Sequence, residues 1–574
     1  MRRRGRIALV SVAAALSLVA LPASASASTL ASASGNLTYT AAAGETNNVT
    51  VSQTGSNYDV NDPGATITPS APCATVSTNE ATCPTSGVTS TRLLLGNMDD
   101  TGVIAASVNG TGVSGDLRGG DGNDTMTGGP NITNFLLGDD SVAGNDTLTG
   151  GSLNDRLSGS GGNDVESGGA GSDLFDGGAG TDVMNGDAGN DQFLAGTGAD
   201  GPDVINGGPG ADEANYSSRV ADLSLSLDGV ANDGEAGEGD NVAPDVEELL
   251  AGLGNDTVTG NSGFNELLDF SGGNNTVSGL GGNDLITTQS GNDALSGGPG
   301  NDRLSPGAGQ DSVSGDEGDD TILNNDGQPD ALSGGPGTDL LDDSGEQSSV
   351  SVTLDGVAND GIAGENDNAM ADVEDVDGSS AADTLVGNGS ANELDGGDGN
   401  DVIRGLGGDD GLDGGRGDDS LDGGPGTDLL SGDSGADALR TRDGSADESS
   451  CGAGVDTVLA DQLDPLRPDC EQASTGLAFE TKQAKVAPSG KAKVKLACPA
   501  VEGIACDGTL VLRRAARKGK LARAKVSIPS GKTRAVKLKV KGLGAKRTAA
   551  TAKATMTDAS GAKVRSSERL VLVR

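Results

Sequence analysis

"GGRGDDSLDGGPGTDLLS", residues 414–431, is one nine-residue phrase written twice. Each copy opens on Gly-Gly, sets an aspartate sixth (Asp419, Asp428) and a leucine eighth (Leu421, Leu430). In such a unit the first six residues can turn, because glycine accepts positive φ and close backbone approach. The last three can form a short strand whose alternation sends the eighth side chain inward. Two units make one coil, and coils stack at about 4.8 Å, the interstrand spacing.

The phrase keeps its phase over long stretches. Aspartates recur every nine residues at Asp146, Asp155, Asp164, Asp173, Asp182 and Asp191. They do so again at Asp284, Asp293, Asp302, Asp311 and Asp320, and at Asp401, Asp410, Asp419, Asp428 and Asp437. Two residues after each stands a mostly apolar side chain, from Leu148 and Leu157 to Leu430 and Leu439, with Glu166 breaking the column. Asp124, Asp203, Asp212, Asp256, Asp330 and Asp339 are irregular members, put out of phase by insertions. The predicted fold class is all-β, a parallel β-roll or β-solenoid of nonapeptide repeats.

Around these arrays the chain divides further. Residues 1–27 read as a signal peptide, basic "MRRRGR" then an apolar run and small-residue cleavage sites after Ala25 or Ala27. Residues 28–115 read as a β-rich leader, 116–215 as array 1, 251–345 as array 2 and 378–440 as array 3. Two cassettes, 216–250 and 346–377, separate the arrays and repeat at an offset of 127 residues, with "LDGVANDG" at 227–234 and 354–361. Their acidic loops, "NDGEAGEGDN" and "NDGIAGENDN", read as solvated rather than cation-binding. Residues 441–471 read as a cap and 472–574 as a small basic β-sandwich, strand-like in "TRAVKLKVKG" and "SERLVLVR".

Charge divides the chain equally sharply. Residues 1–471 carry 14 basic and 80 acidic residues with no lysine, whereas 472–574 carry 24 basic and 5 acidic. The basic body invites an acidic cell-envelope polymer; without aromatic interleaving, nucleic acid is not expected. Six cysteines form three close pairs, Cys73/Cys83, Cys451/Cys470 and Cys498/Cys506, and an even count behind a signal peptide favours disulfides. Fifteen connectivities are possible, of which the local one is preferred. After signal cleavage no stretch approaches the ~20 apolar residues that span a bilayer, so the mature protein is expected to be secreted, extracellular or attached to the cell surface.

The array needs a ligand. One buried leucine per nonapeptide contributes roughly 2–3 kcal/mol, against about 1–2 kcal/mol for each of the nine backbones fixed. Aspartates stacked about 5 Å apart also repel. Ca²⁺ takes 6–8 oxygens at about 2.3–2.6 Å in irregular geometry, whereas Mg²⁺ prefers tighter octahedra and Zn²⁺ prefers His or Cys. The sixteen in-phase aspartates are therefore candidate calcium ligands, pairing eighteen residues apart to offer about ten regular sites. With no histidine, neither a zinc H-E-x-x-H site nor a Ser-His-Asp triad can form, and few aromatics are present to hold a sugar. No enzymatic activity is expected.

At "GGDGNDVIR" (396–404) and "GGPGNDRLS" (297–305) the chain resembles the haemolysin-type calcium-binding repeats, the repeats-in-toxin (RTX) β-roll. The resemblance covers roughly residues 116–460 and implies sixth-position aspartates and turn carbonyls binding Ca²⁺ between coils. "CGAGVDTVLADQLDPLRPDC" (451–470) looks like a last degenerate repeat, Asp456 with Val458, closed by a disulfide. The signal peptide departs from the family's toxins and proteases, and no segment suits a pore. The expected function is structural or adhesive binding at the cell surface or matrix, with folding switched on by external calcium. The alternative is an accessory calcium-binding module of a secreted carbohydrate-active enzyme.

Overall fold

In the computed structural model, residues 27–470 are described except 111, 139–141, 270–271, 461–462, 466 and 468, together with the backbone of the strands between 472 and 573. Residues 1–26, on which the expected signal peptide falls, and Cys498 lie outside the described residues. The described chain is all-β and forms two compact units, residues 1–194 with 200–212, and 195–199 with 213–574.

In the first unit, one parallel ladder stacks Tyr39, Leu93, Leu117, Leu136, Leu157, Phe175 and Phe193. The facing ladder stacks Val49, Gly102, Met126, Leu148, Glu166, Met184 and Ile205. The apolar members are buried, and the Phe175 and Phe193 rings stack with centroids 4.8 Å apart. The column follows from period-two alternation: Thr147 and Thr149 face out while Leu148 faces in. Residue 115 marks a change of repeat sequence and no break in the sheet. Leader strand Ser90–Asn97 pairs in parallel with array strand Ser114–Asp121, and Thr101–Ile104 pairs with Thr125–Thr127. Antiparallel strands Asn57–Asn61, Glu80–Pro84 and Ala74–Ser77 extend the leader, which carries a Cys73–Cys83 disulfide.

The second unit repeats this plan. One ladder runs Ala214, Leu249, Leu267, Ile286, Leu304, Ile322, Leu341, Val376, Leu394, Leu412 and Leu430 without interruption. The other is split at the second cassette: one sheet ends at Asn368–Ala369, and another, starting at Ser351–Thr353, continues through Val458. Each cassette thus supplies a coil to the roll plus an antiparallel excursion, bridged at Asp233–Asp240 and Asp360–Asp367. The cap is closed by Cys451–Cys470, and strand Thr457–Leu459 pairs with Gln472–Ser474. Beyond it, backbone strands pair in a three-stranded and a five-stranded sheet.

Fourth-position glycines set the coil spacing. Gly417 has φ +142°, and a Cβ there would lie 1.2 Å from the Gly399 carbonyl oxygen of the coil before it. Gly417→Ala therefore has to push two coils apart in a backbone region essentially reserved for glycine, at a cost of about 3 kcal/mol or more. Calcium-loaded thermal unfolding is expected to show a clearly lowered midpoint; an unchanged midpoint would refute this packing.

Glu166 is the exception inside the first unit's core. It is fully buried between Leu148 and Met184, and neither carboxylate oxygen makes a hydrogen bond of ordinary geometry. Burial raises its carboxyl well above the usual range, with Asp182 and Asp164 adding repulsion. Replacing an unsatisfied buried carboxyl by an apolar side chain removes a desolvation penalty of about 1–3 kcal/mol. Glu166→Leu is accordingly expected to raise the calcium-loaded melting temperature, as calorimetry can read.

Candidate metal centre

The two ladders carry the sixth-position aspartates to the turns, where every one of the sixteen is buried. Their two carboxylate oxygens have different tasks. Oδ1 accepts a backbone N–H from the corresponding residue one coil earlier: Asp146 donates to Asp164, Asp155 to Asp173, Asp164 to Asp182 and Asp173 to Asp191, all at 2.7 Å. Asp284 donates to Asp302, Asp293 to Asp311 and Asp302 to Asp320 at the same distance. In array 3, Asp401 donates to Asp419 at 2.8 Å, Asp410 to Asp428 at 3.0 Å and Asp419 to Asp437 at 2.9 Å. At the head of each run the donors are Asp124, Asn134, Asn265, Asn275, Asp383 and Asn392, to Asp146, Asp155, Asp284, Asp293, Asp401 and Asp410 respectively.

Oδ2 is left over. In Asp173, Asp182, Asp191, Asp302, Asp311, Asp320, Asp401, Asp419, Asp428 and Asp437 this atom is buried with no hydrogen bond. A buried, unsatisfied carboxylate oxygen is costly, so its recurrence asks for a counter-ion. First-position glycines show which oxygens approach one another. A Cβ on Gly279 would lie 2.2 Å from Asp284 Oδ2 and 2.6 Å from the Gly297 carbonyl oxygen of the next coil. Gly315 stands in the same relation to Asp320 and Gly334, at 2.2 and 2.6 Å, and Gly405 to Asp410 and Gly423, at 2.2 and 2.8 Å. A carboxylate oxygen and a turn carbonyl oxygen from successive coils thus lie no more than about 5 Å apart, a span that two calcium–oxygen bonds of about 2.3–2.6 Å can bridge. Oxygen-only donors in irregular geometry suit Ca²⁺ rather than Zn²⁺.

The electrostatics agree. Burial, only partly offset by the backbone N–H donors, pushes Asp191, Asp284, Asp311 and Asp419 up to about 7. Asp320, Asp401, Asp428 and Asp437 rise to about 6 by the same cause.

A family profile described as the RTX calcium-binding nonapeptide repeat (4 copies) matches residues 110–131, 140–166, 167–202, 196–215, 247–267, 271–304, 307–330, 377–412 and 405–439. These arrays are RTX calcium-binding repeats. The chain is thus a calcium-binding β-roll protein. A comparison with curated proteins found no match.

The RTX columns extend beyond the regular runs. Asp124, Asp203, Asp212, Asp256, Asp330 and Asp339 all accept the same backbone bond, across 24, 21, 21, 33, 19 and 19 residues. The insertions bulge out of the coil while sheet pairing keeps the register. Asp100, Asp383, Asp447 and Asp456 also stand in these columns, although sequence periodicity does not reach them all.

Two further carboxylates escaped the nine-residue phase. In "DGQPD" (326–330) and "DGSAD" (443–447) the RTX unit has ten residues. There Asp326 Oδ2 accepts the Gly309 N–H at 2.8 Å and Asp443 Oδ2 the Gly426 N–H at 3.0 Å, where the regular unit offers a turn carbonyl such as Ser434 to Gly417. Carboxylate oxygens of Asp311, Asp326 and Asp330 lie within 4.8 Å of one another. The D-G-x-x-D spelling, shared by both insertions, is the signal that could have found them.

The cassette loops depart from expectation. They are not simply solvated: Asp233, Glu238, Asp240, Asp360, Glu365 and Asp367 are buried. Antiparallel bridging folds each loop back on its own coil, which removes these carboxylates from water.

Proposed function

We propose that this protein is a secreted structural or adhesive component of the cell surface or matrix, which folds when it meets external calcium. The carrying observation is the column of buried carboxylates with leftover Oδ2 atoms: such a core is unfavourable without cations and consolidated by them. Cytosolic calcium is too scarce for sites of the weak extracellular class, about 10⁻⁴–10⁻³ M, so folding would await export. The N-terminal signal-like segment supports that route.

The basic residues of 472–574 would hold the chain to an acidic cell-envelope polymer. The protein is read as a non-enzyme, a reading supported by the lack of histidine and by its three tyrosines and six phenylalanines. Among the described residues no helix is long and apolar enough to cross a membrane.

The test is co-sedimentation of the full calcium-loaded chain with purified anionic cell-wall polymer across a salt series. Retention at low salt that falls as salt rises is the expected result. No retention at any salt would overturn the surface-binding reading and leave calcium binding intact.

A further inference from the structure

The two cassettes build the same turn with opposite charges at its centre. In the first, Arg219 is buried, donates to Glu238 Oε1 at 2.9 Å and to the Ala195 carbonyl, and lies 3.4 Å from Glu235. Tyr216 beside it donates to Asp240 Oδ2 at 2.9 Å. A cationic side chain and a phenol thus answer the carboxylates of the loop.

The offset of 127 residues places Asp343, at the end of array 2, and Glu346, which opens the second cassette, where the first cassette has Tyr216 and Arg219. The backbone confirms the equivalence. Tyr216 N–H bonds the Leu250 carbonyl and Arg219 N–H the Tyr216 carbonyl, just as Asp343 bonds Asp377 and Glu346 bonds Asp343, all at 2.9 Å. The opposing carboxylates are kept: Glu365 accepts the Ile362 N–H as Glu238 accepts that of Glu235, and Asp367 stands for Asp240. The cation has gone and two carboxylates have arrived.

Among the described residues no ion pair takes the place of the one Arg219 makes, and the Asn324 amide alone eases the charge on Asp343. Both oxygens of Asp343 are buried without a hydrogen bond of ordinary geometry, as is Asn324 Oδ1, whose Nδ2 donates to Asp367 at 2.8 Å. A Cβ on Gly361 would lie 2.1 Å from Glu365 Oε2 and 2.4 Å from Asp367 Oδ2, so these two oxygens converge. Burial, with Asp367, Glu365 and Glu346 adding repulsion and Asn324 opposing it, raises the Asp343 carboxyl well above the usual range. An unpaired buried charge of this kind is strongly destabilising.

We propose that the second cassette binds a divalent cation, of the oxygen-seeking calcium class, in the place that the Arg219 guanidinium fills in the first. Glu365 and Asp367 supply the converging carboxylates, and Asp343, within electrostatic reach of both, would close on the ion with the Asn324 carbonyl oxygen and Glu346 beside it. Asp367 also ends the column that runs through Asp311 and Asp330, its Oδ1 accepting the Asp330 N–H at 2.9 Å, whereas Asp343 and Glu365 stand at no sixth position.

The experiment is an ion count by native mass spectrometry on the full mature chain in saturating calcium. The double variant Asp343→Tyr/Glu346→Arg writes the first cassette into the second and is expected to carry one calcium fewer than wild type, with the calcium-induced β signal kept. The reciprocal variant, Tyr216→Asp/Arg219→Glu, is expected to carry one more and decides the matter should the first fail to fold. An unchanged count in a folded variant of either kind overturns the proposal. A wild-type chain that binds no calcium at all would instead overturn the reading of the arrays.

Discussion

Removing calcium from residues 28–574, the chain without its signal-like segment, is expected to abolish most of its β-sheet circular dichroism, and restoring CaCl₂ to recover it cooperatively. MgCl₂ is expected not to substitute, because the sites combine carboxylates with turn carbonyls in geometry too irregular for it. The size follows from linkage. At a free concentration ten times Kd, each site that exists only in the folded state adds about 1.4 kcal/mol. Some ten sites then contribute on the order of 10 kcal/mol, comparable to the whole stability of an ordinary domain. Coil-to-coil bonds such as Asp284 N–H to Asp302 Oδ1 hold each carboxylate for the next, so neighbouring sites form together and the titration should be steeper than single-site binding. A spectrum that ignores both chelation and calcium would refute the folding switch.

Acidification should act on the two forms with opposite sign. In the metal-free fold, burial raises Asp191, Asp284, Asp311 and Asp419 to about 7, above their unfolded value near 4. The folded state therefore binds more protons than the unfolded one between those values, and stability falls as pH rises. Whatever fold the metal-free chain has is fully favoured only below about pH 4 and is lost as pH climbs through about 6 to 7. Calcium requires the ionised carboxylate, so the loaded form behaves in the reverse way and loses its metal as pH falls. Circular dichroism between pH 5 and 8, in metal-free buffer and in saturating calcium, is expected to give curves of opposite slope. Parallel curves would mean that protons and calcium do not compete for these oxygens.

The nonapeptide arrays were legible because their information is local. Asp302 and Leu304 sit in a unit whose turn and strand are specified within nine residues, and repetition stacks identical units. The close cysteine pairs Cys73/Cys83 and Cys451/Cys470 were legible for the same reason. The division of labour between Oδ1 and Oδ2 was not, since it depends on where the next coil's N–H falls. Nor was the continuity of leader and array, because Ser90–Asn97 pairs with Ser114–Asp121 at a spacing of 24 residues, outside the eighteen-residue coil of the arrays.

From its sequence alone, this chain is determined to be a calcium-seeking roll with sixteen in-phase aspartates and an opposite charge at its C-terminal end. Tertiary structure alone decided that Asp203, Asp330 and Asp339 rejoin the columns and that the cassette acids are buried. The physical reason is that a period in sequence encodes the shape of one coil. Register between coils is set by parallel backbone pairing, which absorbs insertions of any length that can bulge outward.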